Sequence, residues 1–167
     1  ALQERLARDF QAALPGEAVQ LQVFQKLAGT PFSRGNAVEL LRNGEAVFTA
    51  MFAAIDAAQD YVLVQTYTLR DDDLGRDLRT RLERAARRGL RVHFLYDEIG
   101  SYGLPDAFLA PLRQAGAEVR RFGTTRGPVN RFQLNFRNHR KVVVVDGQEA
   151  FVGGLNFGDE YLGRDAA

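Results

Sequence analysis

The chain has 167 residues, 46 % of them hydrophobic, which suits one globular domain or one lobe of a larger protein and excludes two full domains. Lys and Arg number 22 against 21 Asp and Glu, so the net charge of +1 excludes a histone-like chain or an acidic tail. The lack of cysteine excludes disulfides, Cys-ligated zinc, iron–sulfur clusters and thiol nucleophiles, and two histidines leave little for a His-rich metal site.

Leu2, Leu6 and Phe10 recur at i, i+4 and i+8 ahead of Pro15-Gly16 and predict a short amphipathic helix. Its polar face mixes signs, which favours docking on the domain over lying on a membrane. Residues 1–30 read as this helix and a linker, and residues 31–167 as the domain proper. Ala37 to Leu41 predicts a strand. Gly44-Glu45 opens a helix with Val47, Phe48, Met51, Phe52 and Ile55 on one face. No apolar run approaches the roughly 20 residues that cross a bilayer, since the longest, Ala46 to Ile55, ends at Asp56. Tyr61 to Thr66 is a β-branched and aromatic strand. The next helix has Asp71, Asp72 and Asp73 at its positive end, a stripe of Leu74, Leu78 and Leu82, and Arg87-Arg88 before Gly89 at its negative end. Capping, more than metal binding, explains those aspartates. Arg91 to Tyr96 is a strand, Pro105 to Ala115 a helix ended by Gly116, and Glu118 to Phe122 a strand.

Repeated strand–helix–strand order predicts an α/β fold, a mostly parallel sheet with helices on both faces. Gly123 to Asn138 breaks the rhythm and reads as a long loop, a kind that is usually functional. From Val119 to Val145 there are seven basic residues and no acidic one, which suits an anionic substrate. Lys141 to Val145 is apolar enough on both faces to be a buried strand; the turn dipeptide Asp146-Gly147 and a second run, Ala150 to Val152, complete a hairpin.

His139, Lys141 and Asp146 stand in the order His-x-Lys-x-x-x-x-Asp, followed by Gly153, Gly154 and Asn156. The first three alone arise by chance in about one chain of this length per hundred. Residues two apart on a strand share a face, so His139 and Lys141 project together and set a nucleophile or proton carrier beside a fixed cation. Asp146 has the opposite parity and sits in the turn, which suits a structural or supporting role. The glycine pair permits close backbone approach to a ligand, and the Asn156 amide can donate to a phosphate oxygen. Gln65 and Tyr67 alternate at the end of their strand and are candidates to face the same pocket. Asp97-Glu98 ends a strand where parallel sheets gather ligand sites. His93, among Val92, Phe94 and Leu95, reads as a packing or surface histidine. Gly100-Ser-Tyr-Gly103 lacks the third glycine of a nucleotide fingerprint and reads as a loop.

These residues resemble the signature of the phospholipase D superfamily, and the run from Asn138 to Gly163 is similar to bacterial cardiolipin synthases in particular. Pro31-Phe32, Gly35-Asn36, Val38 to Leu41, Gly44-Glu45, Tyr67, Asp73 with Gly75, Leu95-Tyr96-Asp97 and Gly100-Ser101 resemble the amino-terminal half of those enzymes. The resemblance implies one phospholipase D-like half, with His139, Lys141 and Asp146 as catalytic residues and Asn156, Gly153, Gly154, Tyr67 and Gln65 against the substrate. It also implies a covalent phosphohistidine formed from phosphatidylglycerol, without metal or cofactor, at the bacterial cytoplasmic membrane. Such enzymes place two motifs around one site, but His93 is followed by Leu95 where Lys is needed and Gly100 where Asp is needed. The second half is expected either in the same full-length chain or in a second copy as homodimer, and the ends at Ala1 and Ala167 favour the first. Two alternatives stay open: a homodimeric phosphodiesterase or nuclease, whose basic segment would follow a nucleic-acid backbone, and a non-catalytic half-domain that binds anionic head groups.

Overall fold

The computed structural model describes residues 23–24, 26–29, 32, 35–123 and 137–164. Two units divide the chain, Ala1–Leu40 and Leu41–Ala167. In the first, the amphipathic helix expected from Leu2, Leu6 and Phe10 lies outside the described residues. The strand expected over Ala37–Leu41 does not form: residues 36–42 carry no regular structure, and Val38 is 96 % exposed. Alternating apolar residues make a strand only where a ladder takes up their N–H and C=O groups, and this stretch has none.

The second unit opens on α1, Gly44–Ala57. Asn43 caps it with its side-chain oxygen, which accepts from the Ala46 N–H at 2.9 Å. Phe48, Met51, Phe52 and Ile55 form its buried stripe. After β1, Tyr61–Thr66, comes α2, Asp73–Arg87, capped by the Asp72 carboxylate on the Gly75 N–H and buried along Leu74, Leu78 and Leu82. Then follow β2, Arg91–Asp97, α3, Asp106–Gln114, and β3, Glu118–Phe122. The expected excursion falls mostly on residues 124–136, outside the described residues. The hairpin is β4, Val142–Val145, and β5, Glu149–Val152. Its three-residue connection holds Asp146 at φ 54° and Gly147 at φ 67°, both left-handed, and the Gln148 N–H closes the turn on the Val145 carbonyl at 3.0 Å.

The five strands lie in the order β3-β2-β1-β4-β5. β1, β2 and β3 run parallel, whereas β4 returns antiparallel against β1 and β5 antiparallel against β4. The fold is therefore α/β with a mixed sheet, the parallel half coming from the two crossovers and the antiparallel half from the hairpin. Val62 stands opposite Val92 on one side and Val145 on the other, and Val64 opposite Phe94 and Val143. All six are buried.

Both crossovers proceed in the same direction across the sheet, so right-handed connections put α2 and α3 on one face. The buried side chains of α1 join them there, against Val62, Val64, Val92, Phe94, Val143 and Val145. Fully buried Ile55, Leu82 and Leu112 each contribute roughly 1.5–3 kcal/mol by leaving water. The opposite face carries Leu63, Gln65, His93, Leu95, Val142 and Val144, and none of the described helices covers it. Val142 and Val144 are accordingly half-buried, where the sequence suggested a strand buried on both faces.

Candidate active site

β4 begins where the chain enters the sheet beside β1, and Lys141 and His139 lie immediately before it. The Lys141 side chain is buried and the His139 side chain is exposed. The ammonium lies 3.0 Å from His139 Nδ1 and 3.2 Å from Nε2, and donates to the His139 carbonyl at 2.9 Å. An ammonium can donate only to a ring nitrogen that keeps its lone pair, which is also what nucleophilic attack requires. Burial pushes the Lys141 amine below its ordinary value, because a charge taken from water loses hydration. The two side chains expected to project together meet, although both residues lie ahead of β4 and not on it.

Tyr67 completes the cluster. Its ring centroid is 4.5 Å from that of His139, at 51°, and the Lys141 ammonium is 5.1 Å from the same ring. A cation over a π-face is attracted by the ring quadrupole, so the phenol supports both residues from behind. Tyr67 is held by the loop after β2. Ser101 Oγ donates to the Tyr67 carbonyl at 3.2 Å and accepts from the Leu69 N–H at 3.0 Å. Gly100 packs so closely that a Cβ there would lie 2.7 Å from Tyr67 Cδ2, so only glycine fits without moving the ring.

Asp97 organises that loop. Its carboxylate is 1 % exposed, and Oδ1 accepts from the N–H groups of Ile99 and Gly100, both at 2.9 Å. Oδ2 accepts from the Asn138 N–H at 2.8 Å, one residue before His139. The sequence marked Asp97 by its place at a strand end and by the resemblance, with no role given, and Gly100, Ser101 and Asn138 not at all as site residues. Their roles depend on contacts across 32 to 41 residues, which leave no local pattern.

The remaining candidates are held by contacts of their own, Gly153 by donating its N–H to the Lys141 carbonyl at 3.4 Å. Asp146 sits at the other end of β4, where its carboxylate accepts from the N–H groups of Gln59, Asp60 and Tyr61 at 2.8, 2.9 and 2.8 Å. Those three donors hold its carboxyl below the usual range. The Asn156 side chain is buried, its oxygen accepting from the Thr68 N–H at 3.0 Å and its nitrogen donating to the Tyr161 hydroxyl. Gly153 and Gly154 are exposed, with no heavy atom within 4 Å of a Cβ built on either. Gln65 lies opposite Val142 on the open face of the sheet, lining a groove of about 320 Å³ with Leu63, Leu95 and Val144. His93 is half-exposed on that face, 3.1 Å from Glu118.

By fold this is a phospholipase D-like domain. It superposes on a phospholipase D family member, Nuc from Salmonella typhimurium, with a TM-score of 0.54 and 24 % identity over 68 % of this chain and 66 % of that one. NucT from Helicobacter pylori gives 0.56 and 17 % identity over 72 % and 73 %. The chain belongs to the family described as cardiolipin synthase, PLD-like domain, whose model matches residues 51–166. Cardiolipin synthase A of Pseudomonas putida strain GB-1 is 51 % identical over 144 residues, and that of Pseudomonas aeruginosa strain LESB58 is 52 % identical over 144 residues. Both alignments cover 86 % of this chain, which spans only 30 % and 29 % of those relatives.

Proposed function

We propose that this domain is one half of a phosphatidyl transferase of the cardiolipin synthase type. The observation that carries the reading is the pairing of exposed His139 with buried Lys141, 3.0 Å apart, on a domain of this family. The relatives named Cardiolipin synthase A support the choice of lipid. A ring nitrogen of His139 attacks the phosphorus of one phosphatidylglycerol, and the bond to its glycerol oxygen breaks. That oxygen takes a proton from a general acid, and glycerol leaves. The hydroxyl of a second phosphatidylglycerol then attacks the phosphohistidine and yields its proton to the conjugate base of that acid, the P–N bond breaks, and cardiolipin forms. Lys141 faces the non-bridging oxygens, whose charge grows in the five-coordinate transition state. The second N–H of the Asn156 amide is assigned to the same phosphate.

One histidine cannot stand on both sides of an in-line phosphorus centre, so the general acid comes from a second motif-bearing half. We assign that half to the same full-length polypeptide, for which proteins the length of the relatives have room, with a second copy of this domain as the other source. The reading implies work at a membrane surface. None of the described helices is long and apolar enough to cross a membrane.

The test is to mix full-length protein with phosphatidylglycerol, quench rapidly under denaturing conditions and measure peptide masses and lipid products. A phosphatidyl adduct on the peptide holding His139, with release of glycerol and cardiolipin, is the expected result. Phosphatidic acid as sole product would assign water as acceptor and favour the phosphodiesterase reading. Binding without adduct or product would leave only the head-group-binding reading.

A further inference from the structure

We propose that Asp97 is a positioning residue for His139, holding the nucleophile from two sides at once without touching substrate. One oxygen of its carboxylate fixes the backbone at the root of the histidine, through the Asn138 N–H at 2.8 Å. The other fixes the turn behind the histidine, through the N–H groups of Ile99 and Gly100 at 2.9 Å each. That turn sets Gly100 against Tyr67, and Tyr67 presents its ring to His139 at 4.5 Å. The Ser101 N–H returns to the Asp97 carbonyl at 3.0 Å and tightens the same turn. Exposed His139 has no other side-chain support among the described residues than Tyr67 and Lys141, so its placement depends on what holds those groups and its own backbone.

The chemistry explains why a carboxylate stands here. Three N–H groups converge on the position from two directions, and only a side chain with acceptor oxygens on both sides answers all of them. An asparagine would keep two bonds by turning its oxygen toward Ile99 and Gly100, and would then point an N–H at the N–H of Asn138. Asp97→Asn thus cuts the link to the histidine segment while sparing the turn. Asp97→Ala removes both.

The consequence for rate rests on the reading of His139 as nucleophile, whereas the consequence for ring placement rests on geometry alone, and the experiment separates them. The chain has two histidines, so ring resonances of the 167-residue protein are assigned with His139→Ala, and His93, paired with Glu118 on β2, serves as an internal reference. In the wild type, His139 ring protons show a nuclear Overhauser contact to Tyr67. Asp97→Asn is expected to abolish that contact and shift the His139 signals toward those of a free histidine, leaving His93 in place. In the full-length enzyme the same change lowers kcat by roughly 100-fold, with KM within about twofold, since a small misplacement of a reacting group costs rate more than binding.

A folded Asp97→Asn protein with the His139–Tyr67 contact intact overturns the proposal. So does a released ring with unchanged kcat, in an enzyme that His139→Ala inactivates. Full activity of His139→Ala instead overturns the phosphotransfer reading and leaves the ring measurement to decide the positioning. Should Asp97→Asn not fold, replacing the Asn138 residue by its α-hydroxy acid removes only the N–H that Asp97 accepts, and the same two results decide.

Discussion

Asp72 and Asp159 cap each other's segments. Asp72 Oδ2 accepts from the Asp159 N–H at 2.8 Å, and the Asp159 carboxylate accepts from the N–H groups of Asp73 and Leu74 at 3.2 and 3.0 Å, the first turn of α2. The tail that follows Asn156 is thereby fastened to a helix 85 residues away. Asp159→Ala is expected to lower stability by about 1 kcal/mol, the usual worth of a helix cap. Because both carboxylates serve one junction, Asp72→Ala combined with Asp159→Ala should cost less than the two separately. Urea titrations of the four proteins measure this, and strict additivity would show that the two caps act independently.

Asp146→Asn should weaken the fold without displacing His139, since its carboxylate binds the backbone of residues 59–61 at the far end of β4. Folding lowers the Asp146 pKa, so its contribution is complete above the ordinary value of 3.8 and disappears as pH falls through the lowered one. The wild type should melt several degrees above the variant at neutral pH, and the gap should close below pH 3.8. Melting curves across that range test the sign, and an adduct on His139 in the folded variant tests the separation from chemistry.

Lys141→Met should stabilise the domain or leave it unchanged while slowing phosphoryl transfer by about 10²–10³-fold. The ammonium is buried at a desolvation cost that an apolar side chain of similar length avoids. Since folding lowers the amine's pKa, the wild type gains stability as pH rises from the lowered value toward the ordinary 10.5, and Lys141→Met lacks that gain. Thermal melts and single-turnover rates on the full-length enzyme measure the two effects. A variant both unstable and slow would identify Lys141 as a packing residue instead.

This chain as a monomer should neither transfer nor hydrolyse, for want of a second histidine motif, and the assembled enzyme should keep its turnover of a soluble phosphodiester in chelator. The fixed cation beside His139 supplies the charge that a divalent ion otherwise brings. Sedimentation paired with a chromogenic assay examines the first statement. Loss of turnover in chelator, restored by one specific metal, would contradict the second.

How far the sequence could be read follows from how local each signal was. α2 was legible end to end because its Asp cluster, leucine stripe and Arg-Arg-Gly ending all lie within the helix they define. The His139–Lys141 pair was legible for the same reason, being two residues apart on one run, whereas the bonds from Asp146 to residues 59–61 leave no local pattern. Parity misled at Gln65 and Tyr67, because β1 ends at Thr66 and alternation stops there: Tyr67 leaves the sheet toward His139 while Gln65 stays on its open face. Val38 and Leu40 alternate like a strand but lack a ladder, and the bonds of Asn156 to Thr68 and Tyr161 were not legible because they arise only in the folded chain.

β1 carries a temporal consequence. Its start is tied to Asp146, 85 residues later, and its Val62 and Val64 pair with Val145 and Val143. Contacts so distant in sequence must close a long loop before they return any stabilisation, which slows folding. During synthesis, β1, α2, β2, α3 and β3 emerge first and already share a hydrophobic face, so they can collapse as an incomplete unit. His139 and Lys141 reach their places only when β4 docks on the free edge of β1, which makes the reactive pair among the last features of the domain to be assembled on the ribosome.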